Sequence, residues 1–135
     1  MGQQQLLLIV LGVIIVGIAV VVGINLFNAN AEESTKDTIV SEGINLGAMM
    51  QQYYKKPVAL GGGGNSFNGF NSATNPVPTN LTNTPAATWA IGTPGDVDTW
   101  TFTGTPKDAG YDWTVEVTVA FTTNGDTLGA SVVQN

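Results

Sequence analysis

Leu6 to Ile24 reads LLLIVLGVIIVGIAVVVGI, nineteen residues without one polar side chain. At 1.5 Å rise per residue such a helix spans about 28 Å, close to the roughly 30 Å hydrocarbon core of a bilayer. A helix in a small water-soluble domain shows a polar face, and this one has none. Within lipid only a helix satisfies its own backbone, so the stretch is expected to be helical despite its many β-branched residues. The chain has 135 residues, room for this helix and one small domain.

Three fates compete for the helix. A secretory signal peptide has an apolar region of about 7–15 residues behind a basic start. This run is longer, and no Lys or Arg precedes it, although Ala29-Asn30-Ala31 has the A-x-A form of a cleavage site. A plain membrane anchor takes its orientation from basic residues beside the cytoplasmic end. Here the first basic residue is Lys36, on the far side of the run. The third fate accounts for that absence: a short basic leader is removed, and the numbering starts at the processed end.

MGQQQLLLIVLGVIIVGIAVVVGINLF, followed by a polar helix, resembles the mature N-terminus of a type IV pilin of the bacterial major pilin family. The resemblance covers about the first 56 residues. It implies a prepilin peptidase that cuts the leader, and residence in the inner membrane. Pilus assembly machinery then draws the subunits into an extracellular filament cored by the N-terminal helices. The partner so implied is a second copy of the same chain. The assembly residues are then Gln5, Leu6, Leu7, Ile9, Val10, Val13, Ile14, Val16, Ile18 and Val21. The family usually has Glu at the fifth mature position, where this chain has Gln5. An amide accepts a hydrogen bond but does not offset the charge of a neighbour's N-terminal amine. Gly12, Gly17 and Gly23 interrupt the run at spacings of five and six, so they form no GxxxG motif. Glycine is common in membrane helices. The alternative is that these glycines mark where the helix loosens on assembly, as the resemblance implies, with residues 17–23 as the place.

Residues 25–56 form the amphipathic half of the same helix or a second one, since Asn30 and Glu33 have capping-box spacing. Ile39, Val40, Ile44, Met50 and Tyr53 or Tyr54 recur at helical spacing, and the stripe is expected to pack on a C-terminal sheet. Lys55 and Lys56 suit a helix C-terminus, and Pro57 ends the helix. In residues 61–87, 20 of 27 residues are Gly, Asn, Ser, Thr or Pro, which reads as loop, with Phe67 and Phe70 as anchors. Asn80-Leu81-Thr82 is an N-x-T sequon, so Asn80 is a candidate glycosylation site.

The remainder reads as β. Thr88–Ile91 is a short strand, and Thr99–Thr103 puts Trp100 and Phe102 on one face. Trp113, Val115, Val117, Val119 and Phe121 alternate strictly with more polar residues, and Thr127–Val133 returns after an Asn-Gly turn. Gly104–Gly110 joins the two earlier strands. The domains are therefore 1–56, a helix with an apolar stem over 1–24, and 57–135, a β-rich head. The fold class is α+β, a long N-terminal helix packed against a small antiparallel sheet. Ile39, Val40, Ile44 and Met50 on the helix, with Trp100, Phe102, Trp113, Val115 and Val117 on the sheet, are the residues expected to join them.

The chain has no His and no Cys, which removes imidazole bases, thiol nucleophiles, disulfides and the common zinc sites. Only 10% of residues are charged, with ten acids against four lysines. No basic cluster exists for nucleic acid to bind. Asp96, Asp98, Asp108 and Asp112 lie in loops. Oxygen-rich loops hold calcium, but isolated loop aspartates more often cap their own turns. No cofactor, metal or catalytic residue is expected, and the chain is not read as an enzyme. The expected function is that of a structural subunit polymerising through its apolar helix into a cell-surface filament. The alternative is a membrane-anchored adhesin or minor pilin whose loop 61–87 binds a target.

Overall fold

The computed structural model describes residues 2–68, 77–92, 94, 96–122 and 125–134. Helix α1 runs from Gly2 to Lys55 without a break, so there is no restart at Asn30. Contacts divide the chain into two compact units, residues 1–34 and 35–135. The first holds the apolar stem. The second holds the rest of α1 and everything after it.

The end of α1 explains the four consecutive glycines. A 3₁₀ turn, Val58–Leu60, follows Pro57, and Gly61 leaves it at φ 84°, in the left-handed region that favours glycine. The chain then doubles back over the helix terminus. Gly63 N–H donates to Tyr53 O at 2.8 Å, Gly64 N–H to Lys56 O at 2.9 Å and Asn65 N–H to Tyr54 O at 2.7 Å. Carbonyls that end a helix without partners are thereby satisfied. The approach is too close for a side chain: a Cβ on Gly63 would meet Ser66 O at 2.1 Å. The glycine run is thus a cap. Phe67 anchors the segment, 1% exposed, while Phe70 lies outside the described residues.

The loop expected over 61–87 contains a one-turn helix, α2 (Thr79–Thr82). Four strands follow: β1 (Ala87–Ala90), β2 (Thr99–Pro106), β3 (Trp113–Thr122) and β4 (Gly125–Gln134). They form one antiparallel sheet in the order β1-β2-β3-β4. β2 runs three residues past its expected end, because Gly104 leaves a gap that Trp89 fills. A Cβ there would lie 2.7 Å from the Trp89 ring. Residues 104–106 are therefore strand, not connection.

One face of the sheet carries Trp89, Trp100, Phe102, Trp113, Val115, Val117, Val119 and Phe121, all buried. The outer face carries Thr99, Thr101, Thr103, Thr105, Thr114 and Thr118, and the Thr101 and Thr118 hydroxyls hydrogen-bond across β2 and β3 at 3.1 Å. The inner face packs on α1 through Ile39, Leu46, Met50, Tyr53 and Tyr54. The architecture is α+β, a long N-terminal helix against a four-stranded antiparallel sheet.

Of the helix residues expected at this junction, Ile39 and Met50 are fully buried and Val40 is partly buried. Ile44 is not in the core. It is 37% exposed. The helix meets the sheet through Gly43, Leu46 and Gly47, and Ile44 is turned about 100° from Gly43. Gly43 and Gly47 have the spacing GxxxG, and the backbone comes in close because they have no side chains. A Cβ on Gly43 would lie 2.6 Å from Val117 Cγ2, and one on Gly47 would lie 2.2 Å from Leu128 Cδ1.

Tyr54 closes the far end of the core. Its ring stacks on Phe121 with centroids 3.7 Å apart. Its hydroxyl donates to Asp98 Oδ1 at 2.7 Å. Hydrogen bonding to Asp98 first, then burial, then the charges of Asp98 and Asp126, push the Tyr54 hydroxyl from 10.0 up to about 12. The neutral phenol is the form the fold prefers, so this contribution is intact below pH 10 and lost as pH rises towards 12. An alkaline titration of tyrosinate absorbance should therefore show a late step from Tyr54. Tyr54→Phe should abolish the late step and cost about 1 kcal/mol at neutral pH through the lost hydrogen bond. A late step that persists in Tyr54→Phe would refute the assignment.

Candidate functional site: the exposed apolar stem

Residues 2–30 of the helix are exposed throughout. Gln5, Leu6, Leu7, Ile9, Val10, Val13, Ile14, Val16, Ile18 and Val21 all lie among them. Exposure runs from 52% at Val10 to 73% at Phe27, on every side of the helix. The most apolar window has a mean hydropathy of 3.3 and none of it is buried. The helix is long and apolar enough to cross a membrane.

A helix that is apolar all round gains nothing from a single packing partner. It must be enclosed, by lipid or by other helices. Gly12, Gly17 and Gly23 each leave open space where a Cβ would sit. They are helical here, as are residues 17–23 throughout. With no side chain, each is a notch on the helix surface into which a neighbouring helix can settle closely.

A shallow cleft of about 400 Å³ is lined by Tyr54, Lys55, Asn65, Asp98, Phe121, Thr122 and Asp126. Its two carboxylates are engaged: Asp98 accepts from Tyr54, and Asp126 pairs with Lys55. The Lys55–Asp126 pair is exposed and is worth at most about 1 kcal/mol. Asp96 Oδ1 accepts from the Val97 N–H at 2.6 Å, and Asp108 Oδ1 from the Gly110 N–H at 3.0 Å. These aspartates tie their own turns. Among the described residues no three His, Cys, Asp or Glu side chains gather as metal ligands. Asn80 is exposed on α2, and the Thr82 hydroxyl of its sequon donates to Thr79 O at 2.9 Å.

Sequence reasoning missed the Gly43–Gly47 contact and the Glu42 carboxylate, which accepts from the Thr84 hydroxyl at 2.9 Å and from Trp89 Nε1 at 3.4 Å. The signal for the first was the GxxxG spacing outside the apolar run. Nothing in the sequence marks the second.

No family model, no curated protein and no solved structure matches the chain.

Proposed function

We propose that the chain is the structural subunit of a helical filament resembling a type IV pilus, held in the inner membrane before assembly and at the cell surface afterwards. One observation carries the reading: a 0% buried apolar helix joined to a head whose own core is complete without it. Enclosing the fifteen Leu, Ile and Val side chains of residues 6–24 at about 1.5–3 kcal/mol each provides a large drive, before entropy and membrane-extraction costs are subtracted. A bundle of identical stems replaces lipid with like surface. A repeated head-to-tail contact that does not close on itself generates a fibre rather than a ring.

The head supports the same reading by what it presents. Its outer sheet face is mostly threonine, with Glu116 the one charge on β3. Such a face tolerates close neighbours carrying the same net charge of −6. Partners by this reading are further copies of the chain, a prepilin peptidase and the assembly machinery.

Negative-stain microscopy of material sheared from expressing cells, with mass spectrometry of the N-terminus, is the test. Thin fibres made of this chain, starting at Met1 or Gly2, are the expected result. Protein confined to the membrane fraction, without fibres, would replace the filament subunit with an anchored binding module.

A further inference from the structure

We propose that the free edge of β4 is a self-association site, where β4 of a second copy pairs antiparallel and joins two heads into one eight-stranded sheet.

The two edges of the sheet are treated differently. β1 is four residues long, and its open side is already engaged: Asn83 bridges to Thr88, and Thr84 N–H donates to Ala87 O at 3.0 Å. Short strands and covering segments are the ordinary ways to stop an edge from recruiting another strand. β4 is long, and among the described residues no segment pairs with its open side. Its ten residues, GDTLGASVVQ, contain no Pro and no Lys, and the register with β3 runs through ten pairs without a bulge.

The flank of α1 beside that edge is apolar at Val40, Ile44 and Gly47 and polar at Gln51 and Lys55. Gly47 lies against Leu128, and Lys55 reaches Asp126. Residues 40, 44, 47, 51 and 55 follow one another at spacings of three and four, so they form one ridge along the helix. Ile44 and Val40 therefore lie on the β4 side, with Leu128, Ala130 and Val132 on the inward face of the strand. Ile44 is 37% exposed and Val132 39%. A pleated strand added to β4 would carry alternate side chains over them.

Charge selects the occupant. Most of an acidic chain's surface repels another copy of itself. Along β4 the single charge is Asp126, and Lys55 matches it. In antiparallel self-pairing Asp126 faces the far end of the other strand, near Val132, and never its own equivalent. Like charges thus stay apart, and the apolar side chains of both copies meet between the two helices. The pairing is two-fold, so in a filament whose subunits all point one way it joins neighbouring filaments that run in opposite directions.

The chain has no Cys, so one introduced thiol reports without background. Thr127→Cys, Gly129→Cys, Ser131→Cys and Val133→Cys on the outer face would be made singly in the full chain. Each would be oxidised in excess detergent, with Thr103→Cys on β2 as control. A shift of two residues from the two-fold axis moves the thiol-bearing Cα atoms about 13 Å apart along the strands, beyond the roughly 7 Å reach of a disulfide. The expected result is a disulfide dimer at one or two adjacent positions, several-fold above Thr103→Cys, and its loss when Ile44→Lys is added. Far-UV circular dichroism confirms that Ile44→Lys is folded. No dimer above the control, equal yields at all four positions, or a yield indifferent to Ile44→Lys would overturn the proposal. None of these readings requires filaments, so the result is independent of the proposed function.

Discussion

Gly17→Lys is expected to leave the chain in the membrane at normal abundance and to eliminate filaments. A lysine at the middle of a membrane helix costs about 2.5–3.5 kcal/mol on insertion scales. The other apolar residues of the run contribute roughly 0.3–0.6 kcal/mol each in the opposite direction. With fifteen Leu, Ile and Val residues remaining, insertion survives. A stem bundle is less forgiving. Gly17 is a notch with open space around it, and a neighbour that settles there would meet an unpaired ammonium shut away from water. That costs several kcal/mol, and it recurs in every subunit of the fibre. Cell fractionation and microscopy of the same culture measure both halves. Fibres in normal number would rule out a stem-bundled core. Loss from the membrane as well would point to an anchor whose sole task is insertion.

The largest loss of stability is expected from Trp89→Ala, about 3–5 kcal/mol. Trp89 is 3% exposed and sits in a slot. A Cβ on either Gly43 or Gly104 would come within 2.7 Å of its ring. Phe102 packs edge-on at a centroid distance of 5.8 Å. Glycines on both sides have nothing with which to fill the vacancy, so collapse is limited. Filling the slot from the other side is also costly. Gly43→Ala should lose about 1–3 kcal/mol by crowding, offset by up to about 1 kcal/mol of helix propensity. Gly47→Ala should be milder, because its contact is the tip of Leu128 on the open edge strand, which can turn aside. Combining Trp89→Ala with Gly43→Ala should reveal coupling, since the alanine then has room on the Trp89 side. Denaturant unfolding followed by circular dichroism in detergent gives all four values. Simple additivity of the two changes would refute the slot.

Much of this architecture is legible in the sequence because the relevant signals are periodic. Strict alternation from Trp113 to Phe121 gives β3 its bounds, and an uninterrupted apolar run gives the stem. Helical spacing marks Ile39 and Met50 as packing residues, and both are buried. Ile44 fits the same stripe yet points aside, because the glycines, not the branched residues, define the line of closest approach. A pattern of apolar residues cannot show that two absent side chains set the helix–sheet distance. The cap built by Gly61–Gly64 was hidden for a related reason. Its hydrogen bonds come from backbone amides, which every residue has, and only the steric exclusion of a Cβ distinguishes glycine there. The stem was visible as a segment that must be enclosed. What encloses it is a property of its surroundings, and so of the experiments above.

The consecutive strand order has a bearing on how the chain is made. The ribosome delivers the stem first, then the amphipathic half of α1, and only afterwards β1, β2, β3 and β4. Each new strand finds its hydrogen-bonding neighbour in the one just completed, so the sheet grows outward by local pairing, the kind that forms quickly. The helix waits longest. Ile39, Leu46 and Met50 emerge early and stay uncovered until the strands that shelter them have been synthesised. For that interval the nascent head is a sticky intermediate tethered by its stem. Stalling translation within β3 should therefore produce a species bound by chaperones, and release past β4 should free it.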